Sequence, residues 1–366
     1  MNLFDDLYKD KVVLVTGHTG FKGSWLALWL KELGATVVGL SLDNGYDDGI
    51  FKQAKLAENI IHINGDVRDL QNLKAIFDLY KPEFVFHLAA QAIVRESYND
   101  PVTTFHTNVL GTMNVLECLR FCPSVKAAVM VTSDKCYKNK EVVYGYREDD
   151  ELGGSDPYSA SKGSAELVIA SYRHSFFSNG MRETNIASVR AGNVIGGGDW
   201  SQDRIIPDAV KALLHGHSIP VRNPHSRRPW QHVLEPVYGY LLLGSKLYQD
   251  KYYCGSWNFG PGTQSVITVQ ALVENIVCKW GSGSWIDASK DDETRKEAGM
   301  LNLDSSKAAL FLNWKPRLDI DEALRLVVDW YKNYKKRDVQ ELCLEQINYF
   351  IDKIIHTSNE TGGKEN

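Results

Sequence analysis

The chain is expected to fold as an α/β protein on a doubly wound parallel sheet, and three observations predict it. Residues Lys11 to Thr16 form a short, β-branched apolar run that leads straight into Gly17-His18-Thr19-Gly20-Phe21-Lys22-Gly23. The stretch after it, SWLALWLKELG, has helical periodicity and ends on Gly34, a residue suited to a helix C-terminus. Further apolar runs at 36–40, 60–63, 84–88, 127–132 and 184–190 alternate with helical patterns such as Leu70 to Tyr80. That order yields parallel strands joined by crossover helices.

The glycines give the first turn a purpose. Lacking Cβ atoms, they let backbone N–H groups and the positive end of the following helix approach a pyrophosphate. Strand, glycine turn and helix therefore stand in the order of a dinucleotide site, with G-x-x-G-x-x-G one residue longer at the front than the usual fingerprint. An acid about 20 residues beyond such glycines hydrogen-bonds a ribose and repels a 2′-phosphate. Asp43 stands at that distance but also suits a turn, and Ser41 offers a hydroxyl at the strand end, so the ribose partner stays open between them. No Arg or Lys lies between Leu40 and Phe51, which favours NAD over NADP.

Each later strand delivers polar or small residues at its C-terminal end, the edge where open α/β sheets do their chemistry. Asp66, before Val67, is placed to accept from an adenine amino group. Leu88, Ala89 and Ala90 let backbone approach a cofactor, and Gln91 follows them. Asn108 opens the helical pattern of about 107–120, either ordering water behind a site or serving as an ordinary early helix residue. The fifth strand leads to Ser133-Asp134-Lys135. Tyr158 and Lys162, four residues apart, share one helix face. The ammonium is expected to lower the phenol from its usual value of about 10 and make it a proton acceptor near neutral pH.

Composition narrows the class. With 366 residues, 43% hydrophobic and 24% charged, the chain has ample core for one elaborated or two interleaved domains. A net charge of -5 gives no basic excess for nucleic acid. The six cysteines contain no Cys-x-x-Cys pair, so neither zinc nor a disulfide framework is expected. The acidic start and the lack of a long apolar stretch point to no signal peptide and no membrane span, hence to the cytoplasm.

In the second half, 191–200 with its four glycines reads as a loop, Ser201 to Leu214 as a helix, and Glu235 to Tyr248 and Thr268 to Trp280 as two more. Asp287 to Glu297 is charged and reads as solvated surface, while Ile320 to Tyr334 reads as the closing helix.

Together, T-G-H-T-G-F-K-G at 16–23, H-L-A-A-Q at 87–91, T-S-D-K-C-Y at 132–137, Y-S-A-S-K at 158–162, R-A-G-N-V-I-G-G-G-D-W at 190–200 and R-P-W-Q-H-V at 228–233 resemble the extended short-chain dehydrogenase/reductases. The likeness covers nearly the whole chain and is greatest to the CDP-glucose 4,6-dehydratases. It implies a Rossmann-type NAD-binding domain of residues 1–192 plus about 229–257, and a smaller interleaved nucleotide-sugar domain of about 193–228 plus 258–340. Residues 356–366 are expected to be a disordered tail.

The resemblance assigns NAD to Gly17, Gly20, Phe21, Gly23, Ser41, Asp43, Asp66, Val67, Leu88, Ala89, Ala90, Asn108, Tyr158 and Lys162. The nucleotide sugar falls to Gln91, Asn193, Arg204 and Arg228, guanidinium forks suiting a diphosphate, and no metal is implied. It also implies the reaction: CDP-glucose becomes the 4-keto-6-deoxy sugar by an internal redox cycle, an early step of deoxysugar and lipopolysaccharide O-antigen synthesis. Tyr158 would take the O4 proton with Ser133 beside it, and Asp134 would protonate the departing C6 hydroxyl, which requires a raised pKa. Lys135 stands where the dTDP-glucose branch has Glu; it is either the C5 base or a residue that positions Asp134.

Two other functions remain for comparison. A nucleotide-sugar 4-epimerase needs the same Tyr/Lys pair and NAD but no carboxylate at 134, and a cofactor-sensing regulator of this fold generally loses the pair. Relatives commonly form homodimers or homotetramers through the helices near Asn108 and Tyr158. The choice of cytosine rests on family likeness alone.

Overall fold

The computed structural model of the protein describes residues 3–43, 47–178, 183–289 and 301–361. Its strands, in chain order, are β1 (Val12–Thr16), β2 (Thr36–Ser41), β3 (Ile61–Asn64), β4 (Phe84–His87), β5 (Ala127–Val131), β6 (Asn185–Ala191), β7 (Asn193–Ile195), β8 (Ile219–Val221), β9 (Arg227–His232), β10 (Gly255–Phe259), β11 (Val266–Thr268) and β12 (Trp285–Asp287). Seven of them form one sheet in the order β10-β6-β5-β4-β1-β2-β3, every neighbouring pair parallel. β1 sits between β2 and β4, with Val13 opposite both Val37 and Phe84. The strand order reverses there, so the carboxyl ends of β1 and β4 open onto a crevice.

The helices are α1 (Phe21–Glu32), α2 (Ile50–Gln53), α3 (Leu70–Tyr80), α4 (Val94–Asn99), α5 (Pro101–Phe105), α6 (Thr112–Phe121), α7 (Pro157–Tyr172), α8 (Ile205–Leu214), α9 (Leu234–Gln249), α10 (Val269–Trp280), α11 (Ser306–Leu312), α12 (Ile320–Asn333) and α13 (Val339–Thr361). A π-helical turn, His106–Gly111, joins α5 to α6. Strand residues alternate between faces. Val13 and Val15 join the core cluster that contains α1, α9, α12 and α13, whereas Leu14 joins the one formed with α3, α6 and α7. The run Trp25 to Leu30 is buried all round, which is why α1 shows no polar face. Local sequence explains several starts. Asp69 caps α3 by accepting from Gln71 and Asn72, Asp156 and Pro157 open α7, and Asp319 with Glu322 forms a capping box on α12.

The structure departs from the sequence reading in three places. The glycine-rich stretch at 191–200 is not all loop, because Asn193–Ile195 pairs in parallel with β9, Asn193 opposite Trp230. That partner lies far along the chain, and β7, β9 and β11 make a separate three-stranded sheet. α8 begins only at Ile205, with Arg204 extended before it.

The third departure is at the end of the chain. α12 does not close the fold, and the tail expected from 356 is helical as far as Thr361. Leu342, Cys343, Ile347, Phe350 and Ile354 are buried along α13, and the rings of Phe350 and Trp29 meet at 6.0 Å. The charged stretch expected at 287–297 lies mostly outside the described residues. No described helix is long and apolar enough to cross a membrane.

A buried ion pair ties the site-bearing elements together. Glu166 on α7 and Arg190 on β6 meet at 2.8 Å, each side chain 2% exposed. Glu166 also accepts from Thr132 at the end of β5 and from Ser188 on β6. Arg190 donates to the Tyr137 hydroxyl at 2.6 Å and to the Glu148 carbonyl at 2.9 Å. Burial pushes the Glu166 carboxyl up, yet Arg190 and the surrounding hydrogen bonds hold it below its ordinary value. Removing one partner leaves a buried charge unmatched, at a cost of about 3–5 kcal/mol. Glu166→Ala is therefore expected to lose about that much stability in urea unfolding, and Glu166→Leu with Arg190→Met to lose less. Equal losses would contradict the account.

Glu235 makes a second test. Its Oε1 accepts from the backbone N–H groups of Arg317 and Leu318 at 2.7 Å each, while Oε2 has no partner. Burial pushes this carboxyl up to about 8. A raised folded-state pKa means the contribution to stability is full below the ordinary glutamate range and is lost as pH rises toward 8. Glu235→Gln keeps the accepting oxygen without a group to ionise. Its Tm is expected to fall less than the parent's between about pH 5 and pH 8, and an unchanged slope would contradict this.

Candidate active site

The site begins at the glycine turn. Gly17 has φ +78, and a Cβ there would lie 2.7 Å from the Ala89 nitrogen; one on Gly23 would lie 2.1 Å from the Gly17 carbonyl oxygen. Turn, β4 end and helix are thus packed as closely as glycine alone permits. Gly20 is the N-cap of α1 and offers no side-chain cap, so the first N–H groups of α1 face outward for an anion. Next to them, Ala89 donates its N–H to Thr16 Oγ1 at 3.2 Å, and Leu88 and Ala90 are half-buried. This uncapped helix end over a cradle without side chains fits a dinucleotide pyrophosphate.

The expected ribose and adenine partners are arranged unequally. Ser41 is buried, its Oγ 2.7 Å from Thr19 Oγ1 in the glycine turn. Asp43 points outward instead, its side chain 65% exposed and 3.8 Å from Lys52. Ser41 is therefore the residue held against the turn. Asp66 is engaged by its own neighbour, accepting from Arg68 Nε and from the Arg68 backbone N–H at 2.8 Å each. Val67 is buried where Gly111 leaves room for it.

Asn108 is buried. It accepts from the Gln91 N–H at 2.8 Å and donates to Ser161 Oγ at 2.8 Å, pinning the β4 end to α7. Gln91, expected to meet substrate, turns its side chain back onto Ile93 and Thr104.

The expected catalytic residues gather where β5 ends and α7 begins. Ser133 caps a short 3-10 turn and donates to Asp134 Oδ1 at 2.9 Å. Asp134 is 6% exposed, and burial raises its carboxyl above the ordinary value against the opposing pull of Lys135, Ser133 and Lys22. Tyr158 and Lys162 are both buried on α7, as the four-residue spacing predicts. One expectation fails here: the phenol is not lowered. Burial pushes Tyr158 up to about 12, and the offsetting groups are the Ser133 hydroxyl and Arg204 rather than Lys162. Lys162 itself is drawn down to about 8 by burial and by the charge of Lys22.

From the second half of the chain, Arg204 reaches the site. It pairs with Asp199 at 2.9 Å and contributes to the surroundings of Tyr158. Asn193 is half-buried at the start of β7. Arg228, on β9, donates to the Arg227 carbonyl at 3.0 Å. Three participants escaped the sequence reading. Glu166 lies on the Tyr158/Lys162 face at the next turn, a spacing that was visible. Asp199 and Lys22 carried no signal beyond their motifs, although Lys22 puts a charge inside a glycine turn that lies against the core.

Comparison with known proteins agrees with this geometry. The profile of the GDP-mannose 4,6 dehydratase family matches residues 14–327. CDP-glucose 4,6-dehydratase of Salmonella typhimurium is 45% identical over 92% of this chain and 95% of its own. UDP-glucuronate 4-epimerase of Thermodesulfobacterium geofontis is 28% identical over 87% of this chain and 95% of its own. Among solved structures, UDP-glucose 4-epimerase of Thermotoga maritima with UDP-glucose superposes with a TM-score of 0.76 at 23% identity, covering 89% of this chain and 100% of that one. dTDP-glucose 4,6-dehydratase of Bacillus anthracis in complex with NAD gives 0.73 at 20% identity, covering 91% and 99%. The chain belongs to the GDP-mannose 4,6 dehydratase family of extended short-chain dehydrogenase/reductases, and within it is a homologue of CDP-glucose 4,6-dehydratase.

Proposed function

We propose that the protein converts CDP-glucose to CDP-4-dehydro-6-deoxyglucose and water in the cytoplasm, as an NAD-dependent hydro-lyase. The observation that carries this reading is Asp134, a buried carboxyl whose proton is held more tightly than usual, next to Ser133 and Tyr158. Oxidation and reduction at one carbon do not call for such an acid; expulsion of hydroxide does.

Bound NAD supplies the acceptor for the C4 hydride and the source of the hydride returned to C6. Tyr158 is the group that takes the O4 proton; burial holds its own proton firmly, and the Ser133 hydroxyl and the Arg204 charge are what favour the phenolate this step needs. Once C4 is a ketone, the C5 proton becomes acidic. Asp134 then gives its proton to the C6 oxygen as the C6–O bond breaks and the C5–C6 double bond forms. Lys135, half-buried on the same turn, is the C5 base of this reading or the group that orients Asp134. Asn193, Arg204 and Arg228 are the candidates for holding the diphosphate. Val102 on α5, Leu110 on the π turn and Leu167 on α7 are exposed apolar residues, which supports pairing of subunits through these helices as a homodimer or homotetramer.

A second reading, nucleotide-sugar 4-epimerase, shares the scaffold and the Tyr/Lys pair, and Asp134 disfavours it. Purified protein incubated separately with CDP-, UDP- and dTDP-glucose decides between them. The alkali-absorbing 4-keto chromophore is expected with CDP-glucose alone, whereas a galactose product would establish the epimerase. Tyr158→Phe is expected to abolish oxidation at C4. Asp134→Asn should leave oxidation measurable and slow water loss by roughly 10²-fold or more; dehydration at the parental rate would remove Asp134 from its role. Light scattering is expected to give a dimer or tetramer that Leu110→Glu dissociates, and a monomeric parent would contradict the pairing.

A further inference from the structure

The loop between β7 and α8, residues 196–204, is held from three sides. Trp25 on α1 donates its indole N–H to the Gly197 carbonyl at 3.1 Å, and Tyr331 on α12 donates its hydroxyl to the Asp199 carbonyl at 2.6 Å. Trp200, from within the loop, donates to the Asp48 carbonyl just before α2 at 2.7 Å, its ring edge-on to Tyr331 at 5.2 Å. The packing leaves no slack. A Cβ on Gly197 would fall 2.1 Å from the Trp330 ring, and one on Gly198, where φ is +77, would fall 2.3 Å from Ile50 Cγ1. The backbone that carries Asp199 is therefore fixed by α1, α2 and α12 together.

Both oxygens of the Asp199 carboxylate are used. Oδ1 accepts from the Ser201 N–H at 3.1 Å, and Oδ2 accepts from Arg204 Nη1 at 2.9 Å. The two ends of this ion pair differ in surroundings, the Asp199 side chain being 4% exposed and that of Arg204 36%. One partner is locked inside and the other reaches out from it. The residue before Arg204 is restrained as well: Asp203, with φ +61, meets Arg95 of α4 at 3.1 Å and Arg222 after β8 at 3.2 Å. Backbone on one side and a fixed carboxylate on the other thus decide where the guanidinium lies. A guanidinium has five N–H donors in one rigid plane, so a carboxylate that grips it through one nitrogen also sets the plane it presents to a second anion.

We propose that Asp199 is a positioning residue for the nucleotide diphosphate, its carboxylate holding the Arg204 fork in the orientation that meets the phosphate oxygens, an assignment that rests on Arg204 taking the diphosphate in the reading above. Two effects oppose one another here. The negative charge of Asp199 offsets part of the attraction between Arg204 and a diphosphate. Its grip, on the other hand, removes in advance the rotamer freedom that a loose arginine would lose on binding. Water and salt screen the charge effect at a partly exposed guanidinium and leave the ordering effect intact, so the grip wins.

The test uses the full-length enzyme and titration calorimetry, with CDP added to protein saturated with NAD and NAD added to protein alone. Asp199→Asn keeps an oxygen for the Ser201 N–H and removes the carboxylate that grips Arg204. Its Kd for CDP is expected to rise about tenfold, the upper end of what ordering one such side chain costs, while its Kd for NAD stays at the parental value. A general loosening of the fold would not separate the two ligands. Arg204→Met should lose at least as much CDP affinity, and adding Asp199→Asn to it should cost nothing further, because Asp199 acts through Arg204. Tyr331→Phe releases the Asp199 carbonyl and is expected to weaken CDP in the same direction; it decides the matter if the Asn variant does not fold. Parental or tighter CDP binding in these variants, or a further loss in the double variant, overturns the proposal. Parental CDP affinity in Arg204→Met removes the diphosphate assignment and the proposal with it. A parent that binds UDP or dTDP instead of CDP overturns only the choice of base, and the same comparison with that nucleotide then decides the role of Asp199.

Discussion

The buried pair of Glu166 and Arg190 is the constraint on which the catalytic geometry depends. Removing two charges from water costs several kcal/mol per ion, and their attraction repays it only when the geometry is good and the remaining polar atoms are hydrogen-bonded. Here Thr132, Ser188, Tyr137 and the Glu148 carbonyl meet most of that requirement. These partners come from β6 and from the segment between β5 and α7, and Glu166 itself lies on α7. Ser133 and Asp134 follow Thr132 directly, so the Thr132 bond to Glu166 ties them to the helix that carries Tyr158 and Lys162. Asn108 adds a second tie, from the β4 end to Ser161 on the same helix.

On that frame, burial does most of the chemical tuning. It pushes the acids Asp134 and Tyr158 up and draws the ammonium groups Lys162 and Lys22 down. Acids and bases moved in opposite directions are what a proton-transfer site needs. The glycine turn supplies the complementary part, a helix end and backbone amides brought close enough to hold a pyrophosphate. On the proposed reading, redox, deprotonation and water loss share the crevice at the carboxyl ends of the central strands.

Much of this was legible in the chain because period and turn chemistry are local. α3 spans Leu70–Tyr80 as its periodicity predicts, the central strands fall within a residue or two of their apolar runs, and the Tyr158/Lys162 face follows from spacing alone. What was not legible depended on distant partners. β7 is strand only because β9 passes beside it, and α13 buries its apolar stripe against helices from the far end of the chain. The direction of the Tyr158 shift was misread for the same reason: spacing shows that a lysine is near, but burial, which decides the sign, belongs to the folded state. Ser41 and Asp43 differ likewise, since only the course of the backbone after β2 turns one inward and the other toward Lys52.

The central claim is that one hydride leaves the sugar and returns to it while Asp134 drives out water between the two events. CDP-glucose carrying deuterium at C4 tests it most directly. The account predicts that the label appears at C6 of the deoxysugar product, and that in heavy water one solvent deuteron enters at C5. Label that stays on C4, or a C5 that carries no solvent deuterium, would contradict it.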